Sequence, residues 1–303
     1  MRQESKELFT SLIAELERLP QSPVMDKEAI MAAIDKLFST ISGKYTDDDF
    51  LLLNLKTVSS HYINDQNLGF AGLIELMKSR LHVTGLRELE QREATDEFDA
   101  KYGTTTGISI EQFEMPENVS LERALNCGRH DPTPSKAMQL SLSALAGLGV
   151  NYSDFVFIDV GCGLGRNLLL ASTYSFKRII GIEISKFLTQ VCLKNIDLFS
   201  RHVPKAGEIE VKCLNALDFV FPAESLVLYF YNPFPKAVSD QFISNLLEFH
   251  QRHPVKIYLI FLGFAFPAVE NSKVFELITV VPTNETIHGE RTFTLPIFAS
   301  SNR

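Results

Sequence analysis

Apolar positions recur along this chain in two rhythms. Up to about residue 90 they fall at helical spacing. Leu8, Leu12, Ile13, Leu16 and Leu19 form one stripe. After a break at Ser22-Pro23, Ile30, Ala33, Ile34 and Phe38 form another that ends near Gly43, and 47–55 and 70–81 suggest two further helices. From about residue 135 short β-branched and aromatic runs alternate with longer amphipathic stretches. The spacing predicts strands over 155–158, 178–183, 209–214, 226–231 and 256–261, then 275–281 and 291–298, with 282–286 as the connection between the last two. Helices are predicted over 136–148, 167–171, 187–199 and 237–250, between or before those strands.

Strands that alternate with helices and end in two consecutive strands imply an α/β fold. The expected architecture is a Rossmann-like, seven-stranded, mostly parallel sheet with flanking helices and an antiparallel strand near one edge. The expected organisation is a helical N-terminal region over 1–90, a connecting or lid segment over 91–134 and the α/β domain over 135–303. The N-terminal region reads as a cap or dimerisation element, with substrate recognition as the alternative. Segments 98–107 and 129–134 are rich in turn formers and hydroxyls, a composition typical of structured loops over a site.

Composition changes this picture little. The 303 residues are 45% hydrophobic and 22% charged, ordinary for a globular protein. A net charge of −8 argues against non-specific binding to nucleic acid, which depends on Lys and Arg neutralising phosphates. The four cysteines, Cys127, Cys162, Cys192 and Cys213, form no C-x-x-C pair, so neither zinc nor redox spacing is present. With no apolar leader and no long apolar run, the expectation is a cytoplasmic chain that does not enter the membrane.

The chemistry concentrates in Asp159-Val-Gly-Cys-Gly-Leu-Gly165, between the first strand and its helix. Alternating glycines permit left-handed backbone and close approach of a ligand. A helix beginning at such a turn offers free N–H donors. Glu183, ending the next strand, can accept two ribose hydroxyls. Together they describe a site for an adenosine-bearing cofactor. A dinucleotide fingerprint requires a third glycine at position 166, where this chain has Arg166. Asp159 beside the turn would repel a pyrophosphate and suits an ammonium group, which disfavours a nicotinamide dinucleotide.

Asp159 to Gly165, followed by Gly181-Ile-Glu183, resembles motifs I and II of the class I S-adenosylmethionine-dependent methyltransferases. The resemblance implies S-adenosylmethionine as cofactor and no metal. It places Asp159 at the amino group, Gly161 and Gly163 along the methionine portion, Glu183 at the ribose, and Asn215 with Ala216 at the adenine. Related enzymes often carry Asp-Ala at the last position, and Asp218 is a second candidate. Cys162, Gly165, Arg166, Asn167 and Ile184 are counted with the cofactor positions. The run Tyr102-Gly-Thr-Thr-Thr106-Gly and the Pro-Thr133-Pro before the first domain helix resemble a bacterial group of class I methyltransferases of unassigned substrate. Pro-Thr-Pro is also similar to small seven-strand protein-lysine methyltransferases. Tyr102, Thr106 and Thr133 are therefore candidates for a lid over the cofactor.

Asn232-Pro-Phe234-Pro, after the fourth strand, resembles motif IV of amino-group methyltransferases, with Phe234 where the motif has proline. It implies Asn232 accepting from a substrate N–H, with Phe234 and Tyr231 walling the target group and Tyr229 completing an aromatic pocket. Its alternative is a proline turn that closes a buried strand. The expected function is methyl transfer to an acceptor, an amine or amide nitrogen of a protein side chain. Methylation of oxygen or of a small molecule, and a non-catalytic cofactor-binding module whose helical N-terminal region binds a partner, are the other readings.

Overall fold

A computed structural model describes residues 97–110, 130–203, 207–234, 236–287 and 291–301, with single positions between Thr10 and Lys78. The chain divides into two compact units, residues 1–91 with 110–129, and residues 92–109 with 130–303. In the first unit Ile13 and Leu16 are helical and buried, as their stripe predicts. Lys78 pairs with Glu17 at 2.8 Å. The helix expected over 47–55, all of 30–43 except Ala32, which is helical, and all of 70–81 except Ile74 and Lys78 lie outside the described residues.

The second unit begins with a short helix, α1 (Glu97–Tyr102). After it come α2 (Ser135–Gly147), β1 (Phe155–Val160), α3 (Arg166–Ala171), β2 (Arg178–Glu183), α4 (Lys186–His202), β3 (Ile209–Cys213) and β4 (Ser225–Phe230). The chain continues through α5 (Lys236–Arg252), β5 (Ile257–Phe261), α6 (Pro267–Glu270), β6 (Phe275–Ile287) and β7 (Arg291–Ser300). The strands form one seven-stranded sheet in the order β3-β2-β1-β4-β5-β7-β6. Pairings from β3 to β5 are parallel, and those of β5 with β7 and of β7 with β6 are antiparallel. This is the Rossmann-like, mostly parallel α/β architecture that the pattern implies.

The core divides by the pleat of β1. Val156, Ile158 and Val160 face Phe242, Ile243 and Leu246 of α5 on one side of the sheet. Phe155 and Phe157 face the other side, with Leu142 and Leu145 of α2, Leu168 of α3 and Cys192 of α4. Every residue of β1 is buried, which explains why its sequence is a continuous apolar run up to Asp159. The chain order along the sheet reverses between β1 and β4. A crevice outside the carboxyl ends of the strands at such a point is where open α/β sheets bind ligands.

One expectation is corrected. Residues 282–286 belong to β6, with a register shift between Pro282 and Thr286. β6 lies at the edge of the sheet, where a proline without an N–H removes no ladder bond on the outer side.

Candidate functional site

The turn after β1 is shaped by its glycines. Gly161, Gly163 and Gly165 all have positive φ, at 78°, 52° and 90°. Space explains two of them further. A Cβ on Gly161 would lie 3.0 Å from Cβ of Pro233, and one on Gly163 would collide with Nδ1 and Cε1 of His130. Thus the loop after β4 and the segment before α2 both press on the turn. The N–H groups of Gly161 and Cys162 each donate to the Ile182 carbonyl at 2.9 Å, tying the turn to the end of β2.

Glu183 closes the same edge. Its Oε2 accepts from the Gly163 N–H at 2.9 Å and its Oε1 from the Ser185 N–H at 2.8 Å. A carboxylate offers about four acceptor sites over its two oxygens. Asn215 follows β3 directly. Its Oδ1 accepts from the Leu217 N–H at 3.0 Å and caps the 3-10 turn Ala216–Asp218. Ala216 is buried there and Asp218 is exposed. Ile184 is half-buried beside Glu183.

A polar cluster lies on the α2 and α3 side of the sheet. Asp159 and Tyr229 are register partners in β1 and β4. Asp159 is 3% exposed and accepts from Asn167 Nδ2 at 3.4 Å. The same amide nitrogen donates to Thr133 Oγ1 at 3.1 Å. Burial pushes the Asp159 carboxyl up to about 7, against the Asn167 hydrogen bond and with a contribution from Glu183. Asn167 Oδ1 and the Tyr229 hydroxyl have no well-formed hydrogen bond among the described residues, although Thr133 lies beside Tyr229. Burial, then the Asp159 charge, raise the Tyr229 hydroxyl well above its ordinary value, so it stays protonated.

The remaining positions divide between the turn and its supports. The Arg166 side chain is engaged with the segment that carries α1. Its Nε donates to Thr106 Oγ1 at 2.9 Å, and its Nη2 meets Asp99 Oδ2 at 3.2 Å in a pair buried on both sides. Asp99 also accepts from the N–H and hydroxyl of Thr106, the Thr104 hydroxyl and the Gly107 N–H. Thr106 thus serves this latch. Tyr102 packs at 4.6 Å against Phe199 of α4 and at 4.9 Å against Phe98, whose ring lies 5.3 Å from the Arg166 guanidinium. The Cys162 thiol, hydrogen-bonded to Cys192 and buried, is raised well above its usual range and stays a protonated packing group.

After β4, Asn232 is exposed with a φ of 41°, left-handed for a residue with a Cβ. Tyr231 and Phe293 meet edge to face at 6.4 Å. Phe234 is half-buried and leans on Phe242 of α5 at 5.7 Å. Pro235 lies outside the described residues.

Three site residues escape the sequence reading. Asp99 is one, and its signal is a carboxylate followed by Thr-Thr-Thr-Gly, hydroxyls and free amides within reach of one acceptor. Asn195 interrupts the apolar stripe of α4. Its amide accepts from the Thr105 N–H at 2.9 Å and donates to the carbonyls of Thr105 and Leu164, each at 3.0 Å, fastening the 97–107 segment to the turn. His130, against Gly163, gives no signal beyond its place before Asp-Pro-Thr-Pro. Among the described residues no group of three His, Cys, Asp or Glu is arranged to hold a metal, and no helix is long and apolar enough to cross a membrane.

No family model matches the sequence, and no curated protein matches it. Among solved structures the chain is similar to magnesium protoporphyrin IX methyltransferase of Synechocystis PCC 6803 with bound SAM. The identity is 13% and the TM-score 0.43, over 55% of this chain and 79% of that one. A putative RNA methyltransferase from Pyrococcus horikoshii gives 21% identity and a TM-score of 0.40, over 56% of this chain and 84% of that one. A mutant of MtNAS in complex with S-adenosylmethionine gives 14% identity and a TM-score of 0.42, with 100% of both chains covered. At this degree of likeness they decide neither cofactor nor acceptor for this chain.

Proposed function

We propose that this chain is an S-adenosylmethionine-dependent methyltransferase whose acceptor atom is an amine or amide nitrogen. The observation that carries the cofactor is the buried acceptor pair of Asp159 and Asn167 Oδ1 beside the glycine turn. A buried carboxyl with a raised pKa gains most from an arriving cation, which favours its ionised form. An incoming pyrophosphate would do the reverse and hold the carboxyl protonated. Asp159 and Asn167 suit the ammonium of the methionine portion. The turn at Gly161 and Gly163 leaves its backbone without side chains. Glu183 accepts ribose hydroxyls, and Asn215 and Ala216 at the end of β3 suit the adenine.

Bound there, the cofactor supplies a methyl group on a positive sulfur, already activated. The protein's part is then chiefly orientation and the exclusion of water. Asn232 supports the nitrogen acceptor. It is exposed, its backbone is held left-handed, and the next residue, Pro233, rests against Gly161. Its amide oxygen can accept an N–H and turn the nitrogen lone pair toward the turn. Tyr231 and Phe293 supply an apolar flank, while Phe234 supports the loop from the α5 side.

Calorimetric titration with S-adenosylmethionine, S-adenosylhomocysteine and NAD tests the cofactor. Binding of the first two without the third is expected, and binding of NAD alone would overturn the reading. Transfer of a labelled methyl group into a lysate, followed by protease, nuclease or solvent extraction, tests the acceptor. Label in amine or amide groups is expected. Label in hydroxyl groups points instead to oxygen transfer, and no label with tight binding points to a non-catalytic binding module.

A further inference from the structure

Two buried polar atoms without a hydrogen-bond partner among the described residues lie by the glycine turn, His130 Nε2 and Asn167 Oδ1, and the Tyr229 hydroxyl has only an ill-formed contact with Thr133. Asn167 and Tyr229 meet at Thr133. His130, three residues earlier in the chain, lays its Nδ1–Cε1 edge against Gly163. Leaving a buried polar atom unmatched costs free energy, so such atoms point to a missing partner.

The chemistry of that partner follows from the two sides of the cluster. Asp159 and Asn167 Oδ1 are acceptors and call for a cation. An α-amino acid carries its carboxylate on the same carbon as its ammonium, so a donor must lie close by. The guanidinium of Arg166, at the start of α3, is engaged with Asp99 and Thr106. The imidazole of His130 is held neutral, pushed down to about 4 by burial, with Asp131 opposing and Arg166 reinforcing. A neutral imidazole still carries one N–H and can present it at Nε2.

We infer that His130 is a positioning residue that donates from Nε2 to the carboxylate of the cofactor's amino-acid tail. This assignment rests on the cofactor proposed above. The test compares two ligands by calorimetry: S-adenosylhomocysteine, and 5′-methylthioadenosine, which has the nucleoside but no amino-acid tail. The readout is the ratio of their affinities. His130→Ala is expected to lower that ratio about tenfold or more, the scale of a hydrogen bond to a charged group. His130→Gln, which keeps an N–H near the position of Nε2, restores most of it. Retained binding of 5′-methylthioadenosine shows at the same time that each variant is folded. An unchanged ratio in both variants overturns the assignment. Wild-type protein that binds neither compound removes the cofactor reading itself, a result seen before any variant is made.

Discussion

Asp159 holds its proton to about pH 7 because burial disfavours the carboxylate, whereas an ordinary aspartate titrates near 3.8. A cationic ligand needs the ionised form. Affinity for S-adenosylhomocysteine should therefore fall as pH drops below about 7, approaching tenfold per unit. Calorimetry across that range checks it, and Asp159→Asn should bind more weakly and lose the slope. The same shift acts on the ligand-free fold with the opposite preference. Because the folded-state value lies above the unfolded one, the folded chain binds the extra proton between about 4 and 7. Stability contributed by Asp159 is greatest below that window and declines as pH rises through it. His130 acts the other way, since its folded value near 4 lies below the ordinary 6.5, and its contribution is lost as pH falls through that interval. Melting temperatures of wild type and Asp159→Asn at several pH values isolate the first effect. The variant gains relative to wild type as pH rises from about 4 to about 7, and a constant difference would contradict the assignment.

At the scale of elements, two connections decide the geometry of the turn. The loop after β4 depends on Asn232 in a left-handed conformation. Asn232→Gly, which relieves the left-handed backbone of its Cβ, should keep or slightly raise stability and abolish most methyl transfer. Asn232→Ala should lose transfer and also up to about 1 kcal/mol of stability, because alanine lacks the local side-chain hydrogen bonding that lets asparagine tolerate that region. Equal activity in wild type and Asn232→Gly would make the loop purely structural. The segment that carries α1 depends on the Asp99–Arg166 pair. Arg166→Met leaves a buried carboxylate without its cation, a change worth about 3–5 kcal/mol. Amide exchange at residues 104–107 should rise steeply in that variant, and exchange at the wild-type rate would contradict the latch. Sequence pattern makes the strands legible because each central strand is buried on both faces and reads as one apolar run. It misleads at Pro282, a breaker by composition but harmless in an edge strand. It is silent about Asp99 and Arg166, because a contact across 67 residues leaves no local period.

For the whole molecule, the sheet register brings the candidate site positions to one edge. Asp159 pairs with Gly181 and Tyr229, and Glu183 pairs with Cys213, so the turns after β1, β2, β3 and β4 open on the same side. That much was legible from Asp159, the glycines and Glu183, because each lies at a predicted strand end. The polar cluster of Thr133, Asn167 and Tyr229 was legible only in part, since Tyr229 reads as one more residue of an apolar strand and enters the site through its alignment with Asp159. A crystal structure with S-adenosylhomocysteine tests the central claim most directly. The ribose hydroxyls should lie within hydrogen-bond distance of Glu183 and the amino group beside Asp159 and Asn167. A nucleoside bound elsewhere on the chain, or none bound at saturating concentration, would contradict it.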